Sequence, residues 1–465
     1  MRCLRGWPPL LLAAVLSPVP ASVAAQAPEP GRILEKVACA KAPGQSYALY
    51  LPSGYTRERR WPILYAFDAR ARGLVPVERY REAAERYGVI VAGSNNSRNG
   101  PIAIADEALR AMLDDTSTRF PLDPRRVYLT GFSGGARVAV LAAAALGDQA
   151  AGVIGAAAGF PTGLQPTAAT PFAYFGTIGV DDFNFPEMRE LDATLAKLGV
   201  RHHVEVFEGG HAWPPADVCM RAIEWMEIEA IRSKRRTDDP PLVDRILARW
   251  TAEAEAEEKA ARPVEAWRRY SLLTATFAGL RDVAGPVRKA RELASSREVR
   301  SALAEEDASV TRQAGEHARV ARLADRAVAA EGPESLIELL RAVEELRSQS
   351  ERPRSDAARM VARRVLVSSW SRLNEANARD LEAGQLPRAA ARLSVMARIR
   401  PDDPLVPYNL ACVLARSGKK EGAIDALREA VRKGFNDAAA IEAEPDFATL
   451  RREPGFRKIL EELKS

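Results

Sequence analysis

Residues 127–137 read VYLTGFSGGAR, a hydrophobic run that enters Gly131, Phe132, Ser133, Gly134 and Gly135 and passes straight into an Ala-rich stretch. This is the pattern G-x-S-x-G, set between a strand and a helix. The chain must reverse there so sharply that the serine takes a strained backbone conformation, and side chains two positions either side would collide, which accounts for glycine at 131 and 135. The bare pattern would occur by chance on the order of 0.1 times in a chain of this composition, so its flanks carry the weight.

Outward from that turn, from Gln45 to about Ile231, short apolar β-rich runs alternate with helical ones. QSYALYL, PILYAF, GVIVAG, VYLTG, AAGVIGA, FAYFGT and HHVEVF are the strands; helices are expected near residues 75–87, 102–118, 134–147, 186–198 and 216–232. Buried-type strands separated by helices predict an α/β fold, a mostly parallel sheet covered on both faces. The first two strands are separated only by PSGYTRERRW, which allows an antiparallel edge. After Arg232 the text becomes SKRRTDDPPL, charged and then Pro-rich, and reads as a linker over 233–242. Beyond it nearly every residue reads as helix.

The first half resembles the α/β-hydrolase superfamily, in the style of secreted esterases, dienelactone hydrolases and polyhydroxyalkanoate depolymerases, with a domain over 40–232. The resemblance implies a triad in the order serine, acid, histidine, the acid following a later strand and the histidine following the last. Ser133 is then the nucleophile. FAYFGTIGVDDFNF offers Asp181 and Asp182 in the turn after a strand, and Asp182 is the favoured acid. Of the four histidines, His202 and His203 begin a strand and His317 lies in the helical half, so His211, in the loop after HHVEVFEGG, is the base. An oxyanion hole would use the backbone of Gly134 and of a residue in FDARARG, where Ala69 is chosen over its neighbour Asp68. Many relatives carry His-Gly at that loop, so the match is one of position. Phe132 and Trp213 are expected to contact substrate, with Phe160, Phe183 and Phe185 nearby, and GSNNSRNGP (93–101) follows a strand on the same edge.

The helical half carries a repeat visible by subtraction. Gly384, Ala389 and Leu393 recur 34 residues later as Gly418, Ala423 and Leu427. That period of paired helices resembles the tetratricopeptide repeat (TPR) over 366–465, preceded by a helical region over 243–365, with a generic bundle as the alternative. Two repeats are fewer than usually stand alone, so they lean on upstream helices.

Compartment is read from the N-terminus. Arg2 and Arg5, the apolar LLLAAVL and the small residues of ASVAAQA have the grammar of a signal peptide over 1–25, too short and too broken by Pro18 and Pro20 for an anchor, so the mature chain is expected in the periplasm or secreted, without a transmembrane segment. The 465 residues carry 67 Lys and Arg against 62 Asp and Glu, a surplus of +5 that suggests no nucleic-acid partner. Cys3, Cys39, Cys219 and Cys412 contain no CxxC pair, and with four histidines no metal or cofactor is expected. Export would permit Cys39 and Cys219 to pair, although sequence does not fix their distance. The expected function is a serine hydrolase of ester or related acyl bonds on a small-molecule substrate, its TPR-like repeats binding a protein partner. A non-catalytic scaffold and, less favoured, a serine peptidase are the alternatives.

Overall fold

The computed structural model describes residues 28–328, 333–353 and 355–464, so the expected signal peptide lies outside the described residues. No described helix is long and apolar enough to cross a membrane.

Eight strands form one sheet: β1 (Ile33–Cys39), β2 (Ala42–Tyr50), β3 (Trp61–Asp68), β4 (Ile90–Ser94), β5 (Leu122–Phe132), β6 (Ala150–Ala156), β7 (Ala173–Gly179) and β8 (His202–Phe207), in the order β1-β2-β4-β3-β5-β6-β7-β8. β1 and β2 are the antiparallel edge, and every pairing from β4 onward is parallel. β3, β4 and β6 are buried at every residue, which is why their sequences are apolar runs rather than alternating ones. This is the α/β-hydrolase fold.

Five helices cover the sheet: α1 (Leu74–Tyr87), α2 (Ile102–Arg119), α3 (Gly134–Leu146), α4 (Phe185–Leu198) and α5 (Ala216–Arg232). Side-chain alternation along β5 sorts them onto two faces. Tyr128 and Thr130 meet Glu227 of α5 and Tyr80 of α1, whereas Gly131 packs against Gly135 of α3, and Tyr65, level with Leu129, meets Thr116 of α2. The same sorting separates two cysteines. Cys39 lies beside Asp115 and Arg119 of α2, Cys219 of α5 beside Tyr80 of α1, and both are buried free thiols on opposite faces of the sheet. The disulfide that export would permit is therefore not formed.

The expected linker is also replaced by packed structure. α5 turns through Lys234, at φ 58°, into α6 (Pro240–Lys259), followed by α7 (Pro263–Phe277) and α8 (Ala284–Ser295). α5 is buried continuously from Val218 to Ile231 although it holds Glu224, Glu227 and Glu229. Those carboxylates are satisfied by partners drawn partly from the segment read as linker and from α6: Glu224 accepts from Arg249, from Trp250 Nε1 (2.7 Å) and from Tyr87, and Glu227 from Arg126, Arg236 and Tyr128. Glu205 of β8 binds Arg221 of α5 and Arg269 of α7 at 2.8 and 2.7 Å. Charges that look solvated in sequence are the counterions of a buried helix. One compact unit accordingly runs to Asp307, not to the 233–242 boundary.

The other compact unit, from Ala308, is all helix: the end of α9 (Arg297–Val328), then α10 (Pro333–Glu351), α11 (Asp356–Glu382), α12 (Leu386–Ile399), α13 (Leu405–Arg416), α14 (Lys420–Arg432), α15 (Ala438–Ala443) and α16 (Pro454–Lys464). The 34-residue offset falls on equivalent places. Gly384 turns α11 into α12 and Gly418 turns α13 into α14, at φ 68° and 72°, while Ala389, Leu393, Ala423 and Leu427 are all buried.

Candidate active site

β5 and α3 meet at Ser133, the one residue between them, whose backbone stands at φ 55°, ψ −119°. Its N–H donates to Ala156 O at 2.8 Å, fixing the turn to the end of β6. The flanking glycines are required by backbone, not by flexible neighbours. A Cβ on Gly131 would lie 2.0 Å from Gly135 O, and one on Gly135 would lie 2.0 Å from Phe67 O of β3. Built by close approach of three backbone segments, the turn has the shape of a nucleophile elbow.

The second element is the turn after β7. Asp182 N bonds to Gly179 O at 3.0 Å, Phe185 N to Asp182 O at 3.0 Å, and Asn184 N to Asp182 Oδ1 at 2.9 Å, so α4 begins on this aspartate, which is fully buried. The third is the loop after β8, where Gly209 at φ 144° folds the chain back over Gly179; a Cβ on Gly179 would strike Gly209 O at 2.4 Å.

These three loops bring their side chains into line. His211 Nε2 is 3.0 Å from Ser133 Oγ, and His211 Nδ1 is 3.0 Å from both Oδ1 and Oδ2 of Asp182. A carboxylate on Nδ1 sets the tautomer that leaves Nε2 as the acceptor facing the hydroxyl. The imidazole packs against the rings of Phe132 and Phe183, with centroids at 4.7 and 4.3 Å. Of the two aspartates considered, the carboxylate on His211 is that of Asp182; Asp181 contributes its backbone N–H to Gly209 O at 2.9 Å.

Gly134 opens α3, so its N–H belongs to the first helical turn, which has no intrahelical acceptor. Asp68 pairs with Phe132 in the β3–β5 register, so the next residues, Ala69 and Ser133, emerge level with each other at the sheet edge. Asp68 itself is committed elsewhere: its carboxylate takes Arg72 through two bonds of 2.9 Å, Arg70 N at 2.8 Å and Trp213 Nε1 at 2.8 Å.

Phe132 and Trp213, expected to contact substrate, are 8% and 6% exposed and 5.8 Å apart, packed against His211 and bonded to Asp68 respectively. Of GSNNSRNGP, the first part is structural: Asn96 bonds Ser46 N and Gly44 O, holding the β1–β2 hairpin. Asn99 is the residue that enters the site. Its N–H donates to Ala69 O at 2.9 Å, and its side chain lies so close to Gly134 that a Cβ there would be 1.8 Å from Oδ1. Sequence reading marked the segment but could not select this residue, because Asn is equally a turn former.

Neither a family model nor a curated protein matches the sequence. Among solved structures, S-formylglutathione hydrolase FrmB from Staphylococcus aureus is similar at 17% identity and TM-score 0.34, over 43% of this chain and 98% of that one. A ferulic acid esterase is similar at 16% and 0.35, over 41% and 94%, and Thermogutta terrifontis esterase 2 phosphorylated by paraoxon at 15% and 0.33, over 42% and 91%.

Proposed function

We propose that this chain is an exported serine hydrolase that cleaves carboxylic ester or related acyl bonds through an acyl-enzyme on Ser133. The observation that carries the reading is the unbroken relay Ser133 Oγ, His211, Asp182, each link 3.0 Å, hung on a serine with φ 55°. Ser133 Oγ attacks the acyl carbonyl as His211 Nε2 takes its proton; the imidazolium then protonates the departing alcohol, and water, deprotonated by the same nitrogen, releases the acid. Buried Asp182 stabilises the imidazolium at each stage. The amides of Gly134 and Ala69 receive the oxyanion that develops on the carbonyl. The TPR-like helices serve a protein partner.

A scaffold would need no such relay. The direct test is labelling of the purified mature protein with a fluorophosphonate, with the adduct located by mass spectrometry. An adduct on Ser133 supports the reading; a folded sample that stays unlabelled, or is labelled elsewhere, sinks it.

A further inference from the structure

The opposite edge of the same sheet holds a cavity of about 530 Å³ that the hydrolase reading does not use. It forms where the loop before β3, the start of β5 and the α5–α6 turn converge, and six guanidiniums line it: Arg59, Arg60, Arg125, Arg126, Arg235 and Arg236. Four carboxylates answer them, Asp123, Asp238 and Asp239 in the lining and Glu227 behind it, which leaves two positive charges in excess. The cavity is roughly 23 Å from Ser133 along β5, at about 3.3 Å per residue.

The cations are held, not merely gathered. Fully buried Glu227 fixes Arg126 and Arg236 from beneath, while Asp123 takes Arg126 Nε at 2.7 Å and Asp239 takes Arg236 Nη2 at 2.8 Å. The Arg59 guanidinium carbon sits over the Trp61 ring, 3.5 Å from its centroid, and Arg235 Nη1 donates to Asp148 O at 2.8 Å. Among the described residues no carboxylate pairs with Arg59, Arg60, Arg125 or Arg235. Partial desolvation of its guanidinium lowers the pKa of Arg59, and the nearby charges of Arg126 and Arg236 lower it further, a sign of like charges crowded together. Such crowding costs free energy in the empty site, and an anion entering between the guanidiniums reverses the sign of that term.

We propose that this cavity binds a phosphoryl group, either free phosphate or the phosphoryl end of a small molecule. Guanidinium forks match tetrahedral oxyanions with paired N–H bonds, and heads already fixed in place lose little entropy on binding. The volume exceeds that of one phosphate ion, so a phosphate ester also fits. This inference does not depend on the chemistry at Ser133.

The test is thermal unfolding of the full mature chain in millimolar pyrophosphate, inorganic phosphate or glucose phosphate, against sodium chloride at matched ionic strength. A rise of about 3 °C or more is expected with a phosphoryl ligand, because binding to the folded state alone stabilises it. The rise should vanish in Arg59→Gln/Arg125→Gln, two exposed positions, and persist in Arg110→Gln on α2. Response to the sugar phosphate above that to phosphate identifies an ester ligand; the reverse identifies the free ion. No rise beyond the chloride control, or an equal rise in the double variant, overturns the proposal.

Discussion

Trp213 donates its indole N–H to the carboxylate of Asp68 at 2.8 Å, a bond that spans 145 positions of sequence and ties the loop carrying His211 to the loop carrying Ala69. The proposed base and the proposed oxyanion donor are thus positioned against each other through one buried anion. Arg72 pairs with the same carboxylate, and the indole bond is charge-assisted on its acceptor side alone.

Trp213→Phe keeps the ring and removes the donor. Ester hydrolysis should fall about tenfold, chiefly in kcat, as expected for loss of a charged hydrogen bond of about 1.5–3 kcal/mol that is only partly transmitted to the site. Steady-state kinetics beside a melting curve would separate this from unfolding; unchanged kcat would show that the tie is structural only.

The two neighbouring aspartates should separate cleanly. Asp182→Asn is expected to lower kcat by about four orders of magnitude through the wrong histidine tautomer, whereas Asp181→Asn should stay within about twofold. Single-turnover kinetics with an activated ester would read both.

Ser133 offers a test of stored strain. At φ 55° a glycine is unstrained, so Ser133→Gly should raise stability by about 1 kcal/mol while Ser133→Ala should not, both variants being inactive. Urea titrations of the pair would check it.

Truncation should expose where the domain ends. A fragment stopping at Ser233 loses Arg236, Arg249 and Trp250, leaving Glu224 without two of its partners and Glu227 without one, and should fail to fold stably; a buried carboxylate stripped of a partner costs about 3–5 kcal/mol. A fragment stopping at Asp307 should fold and hydrolyse esters. Circular dichroism and activity of the two would decide.

Acid should weaken the β8 edge. Burial lowers the pKa of His203 to about 4, and, although burial opposes it, the charges of Arg221 and Arg269 lower that of Glu205 to about 2. Both folded values lie below the unfolded ones, so the unfolded chain binds more protons and stability falls with pH: through His203 from about 6.5 toward 4, then through Glu205 below about 4.5. His203→Gln should flatten the first segment of a plot of melting temperature against pH and leave the second.

Much of this was legible in the sequence because fully buried strands announce themselves. The seven runs from QSYALYL to HHVEVF and the five helices expected with them fall on β2 to β8 and α1 to α5, and the side chains of Ser133, His211 and Asp182 lie in turn within hydrogen-bond distance. β1 escaped notice because ILEKVAC is a largely uncovered edge strand that buries only Cys39. SKRRTDDPPL misled for a different reason. Its charges resemble a solvated linker unless read together with Glu224, Glu227 and Glu229, three acids in a helix whose other positions include Ile223, Trp225, Met226 and Ile228. Acidic residues inside so apolar a helix were the available signal that cations must come from elsewhere. The packing of Phe132 and Trp213, and the place of Asn99 beside Gly134, depend on loop geometry that no local pattern encodes.

The enclosure of α5 also fixes a time order for assembly. When β8 and α5 have been synthesised or translocated, all eight strands exist, yet the helix that closes one face of the sheet still presents Glu224 without Arg249 and Trp250, and Glu227 without Arg236. Ordering of that face must wait for α6 to arrive, which keeps the newly formed domain incomplete, and open to helpers or proteases, until the chain has passed Trp250.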